Sequence, residues 1–150
     1  MILLSELQTI FVSKEEQMLK KATIPVAIFM FIISAGLVQA MSGMQVSQIT
    51  FATAIEDRQP IGPGTSFSGD VEQLYCFTAI NGAEGETSVN HVWYYNDVEM
   101  ARVNLSVRAA TWRTWSSKRI MPYWVGQWRV DVESADGNVL ASKAFSVTAP

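Results

Sequence analysis

The sequence predicts an all-β fold: an immunoglobulin-like or fibronectin-like antiparallel sandwich of about seven strands, preceded by an N-terminal hydrophobic helix. Three observations carry that expectation. One long charge-free apolar run is confined to the start of the chain, Ala22 to Ala40. Past Met41 no helical period recurs, and strand-length runs are broken instead by Gly, Pro, Asn and Asp. The length, 150 residues, suits one domain plus a targeting segment.

The apolar run has the layout of a secretory signal peptide. Lys20 and Lys21 give a positive start, Ile24 to Ile33 is densely apolar, and Val38-Gln39-Ala40 offers a cleavage site. A start at Met18 would give a signal of ordinary length, so residues 1–17 read as a cytoplasmic tail or a mis-assigned start. A retained anchor is the rival reading of residues 18–41, because Ala22 to Met41 approaches the roughly 20 apolar residues a spanning helix needs. The lysines would then stay in the cytoplasm. Both readings place the remainder outside the cytoplasm, in the periplasm or cell envelope. Residues 42–48 read as a linker and 49–150 as the β domain.

Within that domain, Ile49, Phe51, Thr53 and Ile55 alternate as a first strand, and Pro60 to Thr65 reads as a loop. Gln73 to Ile80 is apolar on both parities and so is expected at the centre of a sheet. His91 to Tyr95 turns at Asn96-Asp97 into Val98 to Val107, with Ala101, Val103, Leu105 and Val107 on one face. The cleanest period of two is Trp128, Val130 and Val132 against Gln127, Arg129, Asp131 and Glu133. Asp136-Gly137 closes a hairpin onto Val139 to Thr148, which sends Phe145 and Val147 to the core.

Several segments recur in a familiar order: Phe51-Ala52-Thr53-Ala54-Ile55-Glu56-Asp57-Arg58, Leu74-Tyr75-Cys76-Phe77-Thr78, His91-Val92-Trp93-Tyr94-Tyr95-Asn96 and Arg113-Thr114-Trp115-Ser116-Ser117-Lys118. Gly126-Gln127-Trp128 and Asp136-Gly137 follow. Together they resemble the bacterial domain-of-unknown-function family 2914 (DUF2914), over roughly Ile49 to Val147. The resemblance implies an extracytoplasmic β domain, often placed after a membrane segment. It implies no reaction and no catalytic residues.

The chemistry-bearing residues are few. One His and one Cys leave no transition-metal ligand set within a single chain, and no metal or cofactor is expected. Asp131, Glu133 and Asp136 read as a wet strand face and a turn, not a calcium loop. Cys76, between Tyr75 and Phe77, reads as core; with His91 it would form a thiolate pair only if the two met in space. Ser116-Ser117-Lys118 lacks the Ser-x-x-Lys spacing of penicillin-recognising enzymes and reads as surface or turn. No convergent acid, base and nucleophile appears, so the chain is expected not to be an enzyme. A net charge of −3 gives no reason to expect nucleic acid.

One stretch stands out. Between Glu99 and Asp131 there is no acidic residue, but there are Arg102, Arg108, Arg113, Lys118, Arg119 and Arg129, interleaved with Trp112, Trp115, Tyr123, Trp124 and Trp128. The candidate partner-binding residues are Arg113, Lys118, Arg119, Tyr123 and Trp124, with Trp124 as the expected exposed aromatic. The bland alternative puts Trp115 and Trp128 in the core and leaves the charges on a solvated rim. The function expected is a non-enzymatic interaction module, an accessory subunit that binds an envelope or membrane protein. The alternative is recognition of an envelope glycan or anionic polymer by the basic aromatic stretch 102–129.

Overall fold

The computed structural model describes residues 43–150, and the expected tail, signal or anchor and cleavage site lie outside the described residues. All regular structure in 43–150 is β. Its strands are β1 (Gln45–Ala52), β2 (Ala54–Glu56), β3 (Gln59–Ile61), β4 (Ser66–Ser68), β5 (Gln73–Asn81), β6 (Thr87–Tyr95), β7 (Val98–Val107), β8 (Thr111–Arg119), β9 (Gly126–Ser134) and β10 (Val139–Thr148). Seven of them run eight residues or more. They form a three-stranded sheet, β1-β5-β8, a five-stranded sheet, β4-β10-β9-β6-β7, and the small β2-β3 hairpin.

Several expectations hold. β5 is the middle strand of its sheet, as its two apolar parities require. Asn96 and Asp97 both take positive φ, 45° and 64°, in the tight β6-β7 turn. Trp128, Val130, Val132, Phe145 and Val147 are buried, and Arg102, Asn104 and Ser106 form the exposed parity of β7.

Three details differ. The chain is in a strand by Gln45, so residues 45–48 of the expected linker pair with β5. Ile49 to Ile55 is not one strand. It breaks at Thr53, and β2 turns back to β3 through Asp57 and Arg58, both at positive φ. The sheets are not purely antiparallel either, because β4 lies parallel to β10.

The two larger sheets share one interior. Its main cluster joins Phe51, Leu74 and Cys76 of the three-stranded sheet to Trp93, Trp128, Val130, Phe145 and Val147 of the five-stranded one. A second cluster gathers Ile80, Val89, Val107 and Val132 toward the end where Gly43 enters. Aromatic rings fill the first cluster: Trp128 stacks on Phe145 at 5.9 Å and 16°, and Phe51 tilts against the same ring at 4.4 Å.

Candidate functional site

The β8-β9 connection sits at the end of the domain opposite Gly43, and its shape follows from two residues already fixed in strands. Trp128 donates from Nε1 to the carbonyl of Trp124 at 3.1 Å, and Tyr95 donates from its hydroxyl to the carbonyl of Val125 at 2.9 Å. Gly126 permits the turn into β9: its φ is 134°, and a Cβ there would press on Asn96 and Tyr95. The loop backbone is therefore held by the core, which is how a connection becomes a rigid platform.

This places the candidate residues unequally. Trp124 is half-buried: its ring lies against Tyr95 at 6.4 Å and Trp128 at 5.8 Å. Its neighbour Tyr123 is the exposed aromatic, at 70%. The expectation for Trp124 fails because the Trp128 ring beneath it offers an apolar seat. Lys118 reaches over the Trp124 ring, 4.9 Å from the centroid, a cation–π contact. Arg119 is exposed and lines an open cleft of about 460 Å³ with Asp70, Glu72 and Met121. Lys118, Tyr123 and Trp124 thus come together, with Arg119 next in the chain. Arg113 does not join them. It lies six residues back on β8, about 20 Å at strand rise, on the outward parity of the sheet.

Antiparallel pairing also corrects the reading of the basic stretch. Arg102 forms ion pairs with Glu99 and Glu133, and Arg129 with Asp97 and Asp131. The hydrogen bonds that the guanidinium groups donate to these carboxylates push both arginine pKa values up. Asp131 and Glu133 lie beyond the end of the acid-free stretch, yet the sheet brings them beside it. Arg108, Arg113, Lys118 and Arg119 form no ion pair among the described residues. Trp115 is also not in the core: it is half-buried on the outward parity of β8, while Trp112, three residues earlier, packs inward on the second cluster.

A polar layer, absent from the expectations above, lies between the sheets. Thr78 on β5 and Ser116 on β8 meet His91 and Trp93 on β6. Thr78 donates from Oγ1 to the carbonyl of Thr114 at 3.3 Å, so at 3.2 Å it accepts from His91 Nε2. His91 Nδ1 is then an acceptor, and Ser116 donates to it at 2.8 Å while accepting from Trp93 Nε1 at 3.0 Å. Burial lowers the His91 pKa to about 4, so the ring is neutral. Ser116 is thus a buried member of this layer, not a surface or turn residue, and Ser117 beside it is exposed. The signal available was β8 parity, since Ser116 shares a face with Trp112 and Thr114.

Cys76 is wholly buried and burial pushes its thiol pKa up; no hydrogen bond joins it to His91, whose ring nitrogens go to Thr78 and Ser116. Among the described residues no three His, Cys, Asp or Glu side chains gather as a metal would require.

Residues 86–147, spanning β6 to β10, match the family described as protein of unknown function, DUF2914. This stretch belongs to that family. The match bears out the resemblance over these strands and contains every candidate partner-binding residue; the Phe51–Arg58 and Leu74–Thr78 segments lie before it. No curated protein matches the chain.

Proposed function

We propose that this chain is an exported, non-enzymatic interaction module of the cell envelope, an accessory subunit that docks a membrane or envelope protein on the β8-β9 end. Residues 18–41 serve as its signal or anchor. The domain is read as an immunoglobulin-like or fibronectin-like sandwich. What supports that is the way successive long strands cross between two sheets that share a core.

The observation that carries the interaction reading is Tyr123. It is 70% exposed, yet the next residue is stapled to the core, so a large ring is presented at little cost in order. Lys118 and Arg119 flank it without ion pairs. An exposed aromatic with a charged rim is the usual make-up of an interface anchor. A protein partner is favoured over an anionic polymer because Arg102 and Arg129, two of the six cations, are already neutralised.

The test is a photo-crosslinking amino acid at Tyr123 in the full chain, in cells. A discrete adduct with one envelope protein, absent when the same group replaces exposed Ser106 and lost with Arg119→Ala, is the expected result. Equal labelling from both positions would end the reading. A reporter fused after Gly43 that is active only outside the cytoplasm checks export; an inactive fusion removes the compartment. Crosslinking of Tyr123 to a glycan or anionic polymer, with no protein adduct, would move the assignment to that ligand.

A further inference from the structure

The two larger sheets have four edges, and three of them are blunted. β4 is only three residues long. β1 carries a bulge between Val46 and Gln48, and its outer side is tied down: Lys143 donates to the carbonyl of Ile49 at 2.9 Å and Gly64 to that of Phe51 at 3.1 Å. β7 shifts register against β6 at Trp93 and Tyr94, and the Glu99–Arg102–Glu133 ion pairs sit beside that irregularity. Short strands, bulges and crossing contacts are the devices that stop an edge from pairing.

β8 has none of these. Its nine residues pair with β5 without a register shift, from Gln73 opposite Arg119 to Asn81 opposite Thr111, and its other side has no strand neighbour among the described residues. That is about 30 Å of regular edge. What it does have is charge. β8 carries Arg113, Lys118 and Arg119, none in an ion pair among the described residues, and β1, β5 and β8 contain no acidic residue.

We propose that β8 is a docking edge for an acidic, extended segment of a partner protein, which adds to the three-stranded sheet as a fourth strand. Main-chain hydrogen bonds supply the attachment, and side chains of alternate parity supply selectivity. The same cations reject other strands. A second copy pairing antiparallel about Ser116 would set Arg113 against Arg119 of its fellow twice, a like-charge contact that disfavours self-association. A strand with Glu or Asp on the outward parity meets Arg113 and Arg119, and its end reaches the β8-β9 loop with Tyr123. The inference rests on the protein-docking reading above and names the partner's chemistry.

The experiment uses the full chain in detergent and a labelled nine-residue probe of alternating valine and glutamate. Three comparison probes are the lysine counterpart, the glutamate peptide N-methylated along one edge, and a scrambled acidic peptide. The alternating acidic probe should bind and slow amide exchange on β8 but not on β7. N-methylation should abolish binding, and Arg113→Glu with Arg119→Glu should weaken it at least tenfold. Both side chains are exposed, so the variant keeps its core. No binding, equal binding of the N-methylated or scrambled probe, or unprotected β8 amides would each overturn the proposal. The two readings fail separately: an adduct at Tyr123 with unprotected β8 removes the edge alone, and a protected β8 without an adduct removes the Tyr123 surface alone.

Discussion

The aromatic half of the core and the polar layer beside it are both buried between the same two sheets, yet they hold the fold in different ways. Around Phe145, the rings of Phe51, Trp93 and Trp128 meet at tilts from 16° to 83°. Such packing gains by area and tolerates small shifts. The Thr78–His91–Ser116–Trp93 layer gains little net energy but has one correct geometry. A one-residue slip of β8 would swing Ser116 outward and strand both His91 Nδ1 and Trp93 Nε1. The rings supply stability, and the polar layer fixes which register is stable.

The largest expected effect is on the aromatic side. Trp128→Ala removes a ring that is 1% exposed and also frees the Trp124 carbonyl. It should cost about 3–5 kcal/mol in chemical denaturation. A near-neutral result would mean that Phe145 does not need its stacking partner.

Acid should strike the other half. The His91 pKa falls from 6.5 unfolded to about 4 folded, through burial. A lowered pKa means that the unfolded state takes the proton first. The contribution of His91 is therefore complete above pH 6.5 and is lost as pH falls toward 4, by roughly 3 kcal/mol at the limit. His91→Gln should flatten that slope in denaturation series run from pH 7 to pH 4. An unchanged slope would assign the acid sensitivity to other groups.

Ser116→Ala tests the layer without changing charge. It leaves the Trp93 donor and His91 Nδ1 without their partner, at about 1–3 kcal/mol, while removing almost no volume. Ser116→Thr keeps the hydroxyl and should recover part of the loss. If alanine is as stable as serine, the layer does not set register.

The two halves were also unequally legible in the sequence. Trp128, Val130 and Val132 declare a period of two within one strand, and the Asn96-Asp97 and Asp136-Gly137 turns follow from residues that tolerate positive φ. Burial of Trp128 and Phe145 needed nothing more. The polar layer joins residues 78, 91, 93 and 116 across two sheets, and no local pattern encodes that meeting. The basic stretch failed for the same reason. Counting along the chain isolated Arg102 and Arg129 from acids that the ladder places beside them. For the candidate surface, Pro122 breaks the chain between β8 and β9, but which aromatic the connection exposes depends on Trp128 lying below Trp124.

The smallest expected effect separates the surface from both halves. Lys118 has inward parity on β8 but stands near its end, where its side chain leaves the core and covers the Trp124 ring. Because it remains partly in water, Lys118→Ala should cost only about 0.5–1 kcal/mol, the worth of an exposed cation–π contact. Lys118→Arg should be close to neutral, since a guanidinium also stacks on indole. Trp124 fluorescence is the direct readout: removing the ammonium should shift its emission with little change in the denaturation midpoint. A loss as large as that of Trp128→Ala would mean that Lys118 closes the aromatic half from solvent. The β8-β9 loop would then be part of the core's seal, and its cation would not be free to meet a partner.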